Sequence, residues 1–568
     1  MASSGEFELR SEMIGPLPVV NHFLSRMRIA EILQKYLPND DARLRLAPAA
    51  VIGVLVRNIV VCHRPVYAIS EWAMPYHPGV LGLAPGDPQA LNDDRLGRTL
   101  DRLFDADRAT LITETVLGVL REFSLEVSQL HNDSTTITLS GSYIGADGRA
   151  RGAKATPAIV HGHNKDFRPD LKQLLFILSV SADGAVPIAY RTADGNTPDD
   201  VTHIPTWDEL VRLVGRADFL YVADSKLCSA KAMGHIARGG GRFVTIIPHG
   251  RKEVIWFRDW AQNHVPAWEE ADRRSAERSG DPDRVWRTFE APMPSVDGYR
   301  VIWVHSSAKA ACDSAARAAR IEAGFAAIEA LGVRLLSPRS RLKSVVAVTQ
   351  AAEAALAEAR AQRWVNFTVT ESMEVSYRKE RRGPTDPSTR YRRIERPVFV
   401  LSAQVRAETV AYDAVGDGCF PLITNDRVMT PAEVLRAYRY QPNLERRNHI
   451  LKGPQEVAPV YLETPHRIEA LLLCHFFAML AEALIEREIR ASMKAEDLTG
   501  IPLYPELRNC PAPSAPRILE IFGGIQRHCL VRDGNVVQVF EPELTPLQQK
   551  VLDLLHVPAN IYTSASTT

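Results

Sequence analysis

The stretch that most constrains this chain runs from Val127 to Gly141 and reads V-S-Q-L-H-N-D-S-T-T-I-T-L-S-G. Beyond Asp133, the polar residues Thr136, Thr138 and Ser140 alternate with Ile137 and Leu139, and Gly141 closes the run. Dense β-branched residues with a period of two specify a strand. A carboxylate inside such a strand is unfavourable unless something binds it. The plainer reading puts Asp133 at a strand end facing water. The functional reading makes it a rigidly mounted metal ligand, and that reading requires partner ligands elsewhere in the chain.

A chain of 568 residues is long enough for several cores. Its 45% hydrophobic and 24% charged content is that of a soluble globular protein. The 68 basic residues balance the 68 acidic ones, so total charge neither points to nucleic acid nor excludes it, because local patches decide. The seven cysteines are scattered and form no CxxC pair, which argues against a zinc ribbon or disulfide framework and fits a reduced, cytoplasmic protein. The first residues, M-A-S-S-G-E-F-E-L-R, contain no apolar core of a signal peptide. The most apolar window, Ala470 to Ile485, contains His475 and Glu482 and is shorter than a membrane span, so it is read as a buried helix and no membrane partner is expected.

Along the chain, residues 1–123 read as an all-helical domain, with helical periodicity over 18–36, 46–61, 91–105 and 107–122. Arg95, Arg98 and Arg102 share one face, either solvated or set against phosphates. Residues 124–248 turn to α/β. The strand bearing Asp133, the apolar run Leu174–Val180 and the run Val186–Tyr190 predict an antiparallel meander. A helix over His203–Val214 and the buried strand F-L-Y-V-A-D, ending on Asp224, follow. Strand ends entering helices are where open α/β sheets place their sites, so Asp133 and Asp224 are expected on neighbouring strands. Gly239, Gly240 and Gly241 end a helix rather than bind a nucleotide, since no GxxxxGK[ST] is present.

Residues 249–397 interrupt the pattern with a Trp-rich polar stretch, Ala-rich helices and the segment Tyr377–Arg396. That segment carries eight Arg or Lys against three acids, including Arg378, Lys379, Arg381, Arg382, Arg390, Arg392 and Arg393. A solvated loop or hairpin is the plain reading; contact with a phosphate backbone is the other. Residues 398–493 resume the α/β pattern and contain a helix kinked before Pro442, in which Gln441, Glu445, His449 and Lys452 are spaced for one face. Residues 494–568 form a C-terminal extension. Glu445 beside Lys452 reads as a surface ion pair when taken alone. With Asp133 and Asp224 it completes a set of three hard oxygen ligands suited to two Mg²⁺ ions.

At this point the chain resembles the DDE transposases of bacterial insertion sequences, in the IS4-like superfamily and closest to its IS1634 branch. The motifs are L-H-N-D-S-T at 130–135, Y-V-A-D-S at 221–225, and Tyr438, Gln441, Glu445 and Lys452 in the spacing Y-x2-R-x3-E-x6-K. Gln441 stands where that signature has Arg. The stretches at 91–101, 165–173 and 417–425 also resemble the family, and the likeness covers roughly residues 15–490. It implies an RNase H-like catalytic core, a mixed sheet flanked by helices, with a large mixed insertion between Asp224 and Glu445, 221 positions apart. It implies Asp133, Asp224 and Glu445 as catalytic and metal-binding residues, two Mg²⁺ ions that Mn²⁺ could replace, and Tyr438, Gln441 and Lys452 orienting DNA phosphates. Double-stranded DNA and a homodimer on DNA are the implied partners. In such enzymes a flipped base stacks on an aromatic side chain, and Trp256, Trp260, Trp286, Trp303 and Trp364 are the candidates here. A nuclease without strand transfer and a non-catalytic DNA-binding repressor are the rival expectations.

Overall fold

The structure, a computed structural model, describes residues 7–40, 44–276, 280–337, 339–453, 455, 457 and 462–563. Residues 1–6 and 564–568, the latter expected from sequence to be a loose end, lie outside the described residues. The chain divides into two compact units: Met1–Thr245 with Arg436–Thr568, and Ile246–Leu435. The architecture is mixed α/β, with sheets flanked by helices.

The first unit opens with a strand, β1 (Phe7–Met13), and continues through helices α1 (Leu17–Arg26), α2 (Ile29–Tyr36), α3 (Pro48–Val61), α4 (Ile69–Ala73), α5 (Asp93–Asp105) and α6 (Arg108–Glu122). The single helix predicted over 18–36 is two helices, broken where Arg28 adopts φ 55°. A left-handed residue cannot continue an α-helix. Asn92 caps α5, its side-chain oxygen accepting the Arg95 N–H at 2.9 Å.

The sheet that positions the candidate site follows. It comprises β2 (Gln129–Leu139), β3 (Lys172–Ser181), β4 (Pro187–Asp194), β5 (Leu220–Ala223) and β6 (Arg242–Ile246), with α7 (His203–Val214) and α8 (Ala230–Arg238) between the later strands. In space the order is β4-β3-β2-β5-β6. The first three strands pair antiparallel, whereas β2 with β5 and β5 with β6 pair parallel. The meander and the following parallel strands lie where the hydrophobic pattern predicts them. Strand β3 is buried at every position after Lys172, which is why Leu174–Leu178 is an unbroken apolar run rather than an alternating one.

The second unit contains α9 (Lys252–Trp260), β7 (Glu269–Arg274), β8 (Arg284–Glu290), β9 (Arg300–Ser306), α10 (Ser307–Leu336), α11 (Val345–Glu358), β10 (Val365–Lys379), β11 (Tyr391–Val405), α12 (Ala407–Ala414) and β12 (Cys419–Thr424). Strands β7, β8, β9 and β12 form consecutive antiparallel pairs. Strand β11 pairs along its whole length with β10, and β12 pairs with β9. The unit therefore runs on to Leu435, past the boundary at residue 397 expected from sequence. Much of the Trp-rich stretch is packing: Phe257 stacks on the buried Trp303 at 3.7 Å, and Trp256 and Trp260 stack at 5.6 Å.

The remaining elements are α13 (Pro431–Tyr438), α14 (Gln441–Lys452), α15 (Pro465–Ala495), α16 (Ala515–Glu520), β13 (Gln526–Arg532), β14 (Asn535–Phe540) and α17 (Pro546–Leu554). The break between α13 and α14 falls just ahead of Pro442, as expected. Helix α15 is longer than the apolar window suggested. Its 31 residues are long and apolar enough to cross a membrane, and 94% of its most apolar stretch is buried inside the protein. It is the central helix of the first unit, packed against α3 and α5, and it is apolar all round as a core helix must be. Strand β1 corrects the expectation of an all-helical front end: it pairs antiparallel with β13, which pairs with β14 through a turn at Asp533-Gly534. Both turn residues have positive φ, the geometry of a tight hairpin.

Candidate active site

Asp133 lies on β2, between β3 and β5. Asn132 pairs with Ala223 in parallel register, so Asp133 on β2 and Asp224, just past the end of β5, each follow the last paired residue of two adjacent strands. Asp224 leaves β5 as the cap of a short turn, its Oδ1 accepting the Lys226 N–H at 3.0 Å.

Helix α14 lies against β2. Gln441, at its first position, is buried, and its amide is fully used: Oε1 is 2.8 Å from His131 Nδ1 and Nε2 donates to Asn132 O at 3.1 Å. One turn on, Glu445 is exposed, and three residues further Asn448 Nδ2 donates to Asp133 Oδ2 at 3.0 Å. Arg447 is buried on the opposite side, donating to the carbonyls of Gly184 and Ala185 and pairing with the buried Glu486 at 3.0 Å. Lys452 Nζ donates to Asp166 Oδ1 at 2.6 Å, and Asp166 also accepts from Thr138 on β2.

The electrostatics gather these residues into one field. Burial pushes the Asp133 carboxyl up to about 6; Asp224 and Glu445 add to the rise, while Lys165 and the Ser134 N–H oppose it. Burial also raises Asp224, opposed by the Lys226 N–H and Lys165 and reinforced by Asp199. Tyr438 is pushed up to about 12 by burial and by the charges of Asp224 and Glu445. Asp133 thus senses both other acids, and Tyr438 senses two of the three.

Several participants carried no role in the sequence reading. Lys165 Nζ donates to Ser134 O at 2.6 Å and to Ser134 Oγ at 2.8 Å, and it pairs with Asp199 at 3.1 Å. His203 is buried and held neutral, its pKa lowered to about 4 by burial, with Nδ1 3.2 Å from Tyr221 Oη and Nε2 3.9 Å from Asp224 Oδ1. Lys165 falls within the family-like stretch 165–173, the one sequence signal that could have found it.

The donor set is made of carboxylate oxygens, the ligands a hard divalent cation takes. Asn448 Oδ1, buried beside Asp133, has no hydrogen-bond partner among the described residues and adds a further oxygen of that kind. Also among the described residues, no group of three or more His, Cys, Asp or Glu side chains is arranged to hold a metal ion. The residues fit such an ion in chemistry and charge without forming a closed cage.

The expected DNA-contacting residues divide. Gln441 faces inward and ties α14 to β2, with both ends of its amide engaged inside the protein. Tyr438 is half-buried and Lys452 is paired with Asp166. Arg378, Lys379, Arg381, Arg382, Arg390, Arg392 and Arg393 belong to the second unit, on the ends of β10 and β11 and the turn that joins them.

Residues 9–117 match a family described as a domain of unknown function, DUF4277. No curated protein matches the chain. Among solved structures, the chain is similar to the piggyBac transposase in its synaptic complex with hairpin DNA, at 8% identity over 90% of this chain and 81% of that one, with a TM-score of 0.33. A likeness that loose carries no argument about function.

Proposed function

We propose that this chain is a DDE-type DNA transposase with an RNase H-like core, of the IS4-like superfamily and its IS1634 branch, acting on the terminal inverted repeats of its own element. One observation carries the reading. The Asp133 carboxyl on β2 is raised by burial and by the charges of Asp224, at the end of β5, and of Glu445, on α14, although Asp133 and Glu445 are 312 positions apart in the chain. A sheet of two antiparallel pairs followed by two parallel ones, with an acid on its central strand and another on the adjacent strand, supports the RNase H-like assignment.

Asp133, Asp224 and Glu445 would hold two Mg²⁺ ions, or Mn²⁺ in their place. Bound there, the ions would supply the charge that activates a water or 3′-hydroxyl and stabilises the leaving oxygen. The chain's own residues do the rest. Asn448 orients Asp133, the Lys226 N–H orients Asp224, and Gln441 holds the glutamate helix on the sheet. Lys165 offsets part of the negative charge before cation and DNA arrive. Tyr438, which senses Asp224 and Glu445, and Lys452 would contact DNA phosphates, and the Arg378–Arg393 segment would hold the backbone. The enzyme would act as a homodimer on double-stranded DNA, in the cytoplasm.

The test is cleavage and joining of a duplex carrying the inverted repeats that flank the gene, with and without Mg²⁺. Wild type should cut and join; Asp224→Asn, with the fold retained, should lose activity by about 10³-fold or more, the scale of electrostatic catalysis. Cutting without joining would favour the nuclease reading. Equal cleavage by wild type and the variant would remove Asp224 from the mechanism.

A further inference from the structure

Strands β10 and β11 form a two-stranded ribbon that pairs with no other strand among the described residues, fifteen residues on each side. Its two halves differ. In the basal half, Val365, Phe367 and Val369 with Phe399, Leu401 and Ala403 pack onto Ile328, Leu331 and Leu335 of α10 and Val348, Ala352 and Leu356 of α11. In the distal half, Met373–Arg378 and Tyr391–Glu395 are exposed at every position, on both faces. An isolated two-stranded ribbon is marginal in water, and this half buries nothing that would stabilise it.

The charges there make its isolation costlier. Arg378 stands directly opposite Arg392 in the register, and like charges directly opposite are destabilising. On the other face Tyr377 stands opposite Arg393, and Lys379 opposite Tyr391. Among the described residues, Arg393 pairs with Glu395 and Arg396 with Glu374, whereas Arg378, Arg381, Arg382, Arg390 and Arg392 form no ion pair. A projecting strand pair with uncompensated guanidinium groups fits a polyanion, and the DNA major groove admits a two-stranded ribbon.

We infer that the distal β10–β11 ribbon is an arm that enters the major groove of duplex DNA, with Arg378 and Arg392 on the phosphates that flank the groove. The identity of the polyanion rests on the proposed transposase function; the arm itself does not depend on the three acids.

The test uses the full chain carrying Asp224→Asn, so that binding is read without cleavage. Duplex affinity is measured against salt for this protein and for the same protein with Arg378→Ser and Arg392→Ser. The ribbon variant should bind duplex at least about 10-fold more weakly at physiological salt, and its log–log salt slope should be shallower by about 2, one phosphate contact per arginine. Guanine N7 in the bound duplex should be protected from dimethyl sulfate, with protection lost in the ribbon variant. An unchanged salt slope, or no N7 protection by the parent protein, would overturn the inference. Equal loss of heparin binding and duplex binding, with N7 open, would overturn it too, marking the ribbon as a general polyanion grip. Loss of groove protection on ribbon substitution in a protein whose wild type never cleaves DNA would leave the arm standing and remove the transposase reading.

Discussion

Asn448 Nδ2 donates to Asp133 Oδ2 across 3.0 Å, joining the acid of the central strand to the helix that carries Glu445. The bond fixes one carboxylate oxygen of Asp133, and the Ser134 N–H also bonds to this carboxylate. Replacing the amide with an isosteric hydrocarbon, Asn448→Leu, should leave the fold intact and lower cleavage about 10- to 100-fold, the usual cost of losing a residue that orients a ligand. The Mg²⁺ concentration for half-maximal rate should rise. A metal titration of the cleavage rate checks both expectations.

The pairing of Arg447 with Glu486, both almost fully buried, anchors the same helix from behind. Arg447→Met leaves the buried Glu486 carboxylate with Arg490 at 3.2 Å and the Ala515 N–H, but frees the carbonyls of Gly184 and Ala185. It should cost about 1–3 kcal/mol of stability, the cost of buried groups left unsatisfied, and cleavage should fall because those carbonyls no longer hold α14. Urea denaturation of wild type and variant, read beside their cleavage rates, separates stability from positioning.

Glu482 in α15 sets a pH dependence. Burial, with the adjacent Glu486, raises its carboxyl to about 8, against Arg447 and the Gln455 amide. The folded state keeps this proton where the unfolded chain has lost it. The stability it contributes is complete below about 4.5, the ordinary glutamate value, and is lost as pH rises through 8. Glu482→Gln keeps an oxygen for Gln455 Nε2, 3.1 Å away, without the charge. Its melting temperature should exceed the wild type's at pH 8.5, and the gap should close towards pH 4.5. A pH series of thermal melts decides.

Lys165 lowers both Asp133 and Asp224 against the rise caused by burial. Lys165→Met should let both carboxyls rise further, so the acid limb of the cleavage profile should move to higher pH. An unshifted acid limb would mean that Lys165 serves only to anchor Ser134 and Asp199.

Much of the candidate site was legible because local sequence carries it. Asp133 stood out as a charge among β-branched residues, Asp224 as a strand-terminal acid, and the α13–α14 break as a proline effect. The rest depends on contacts that no local pattern encodes. Lys165 and Asp199 reach the acids through loops. The bonds from the Gln441 amide to His131 and Asn132 join residues more than 300 positions apart. The seven residues of β1 alternate weakly, and their partner strand lies more than 500 positions away. The second unit ends later than its composition suggests because long-range pairing of β12 with β9, not a change of residue type, sets the boundary.

The parallel alignment of Asn132 with Ala223 has a consequence for how such a chain can change over generations. Side chains along a strand alternate between faces, so inserting or deleting one residue within β2 or β5 would send one aspartate to the far side of the sheet. Between Asp224 and Glu445, by contrast, the chain accommodates an entire additional unit. Lineages descended from this fold should therefore differ freely in the length of that detour while keeping the two strand frames unshifted.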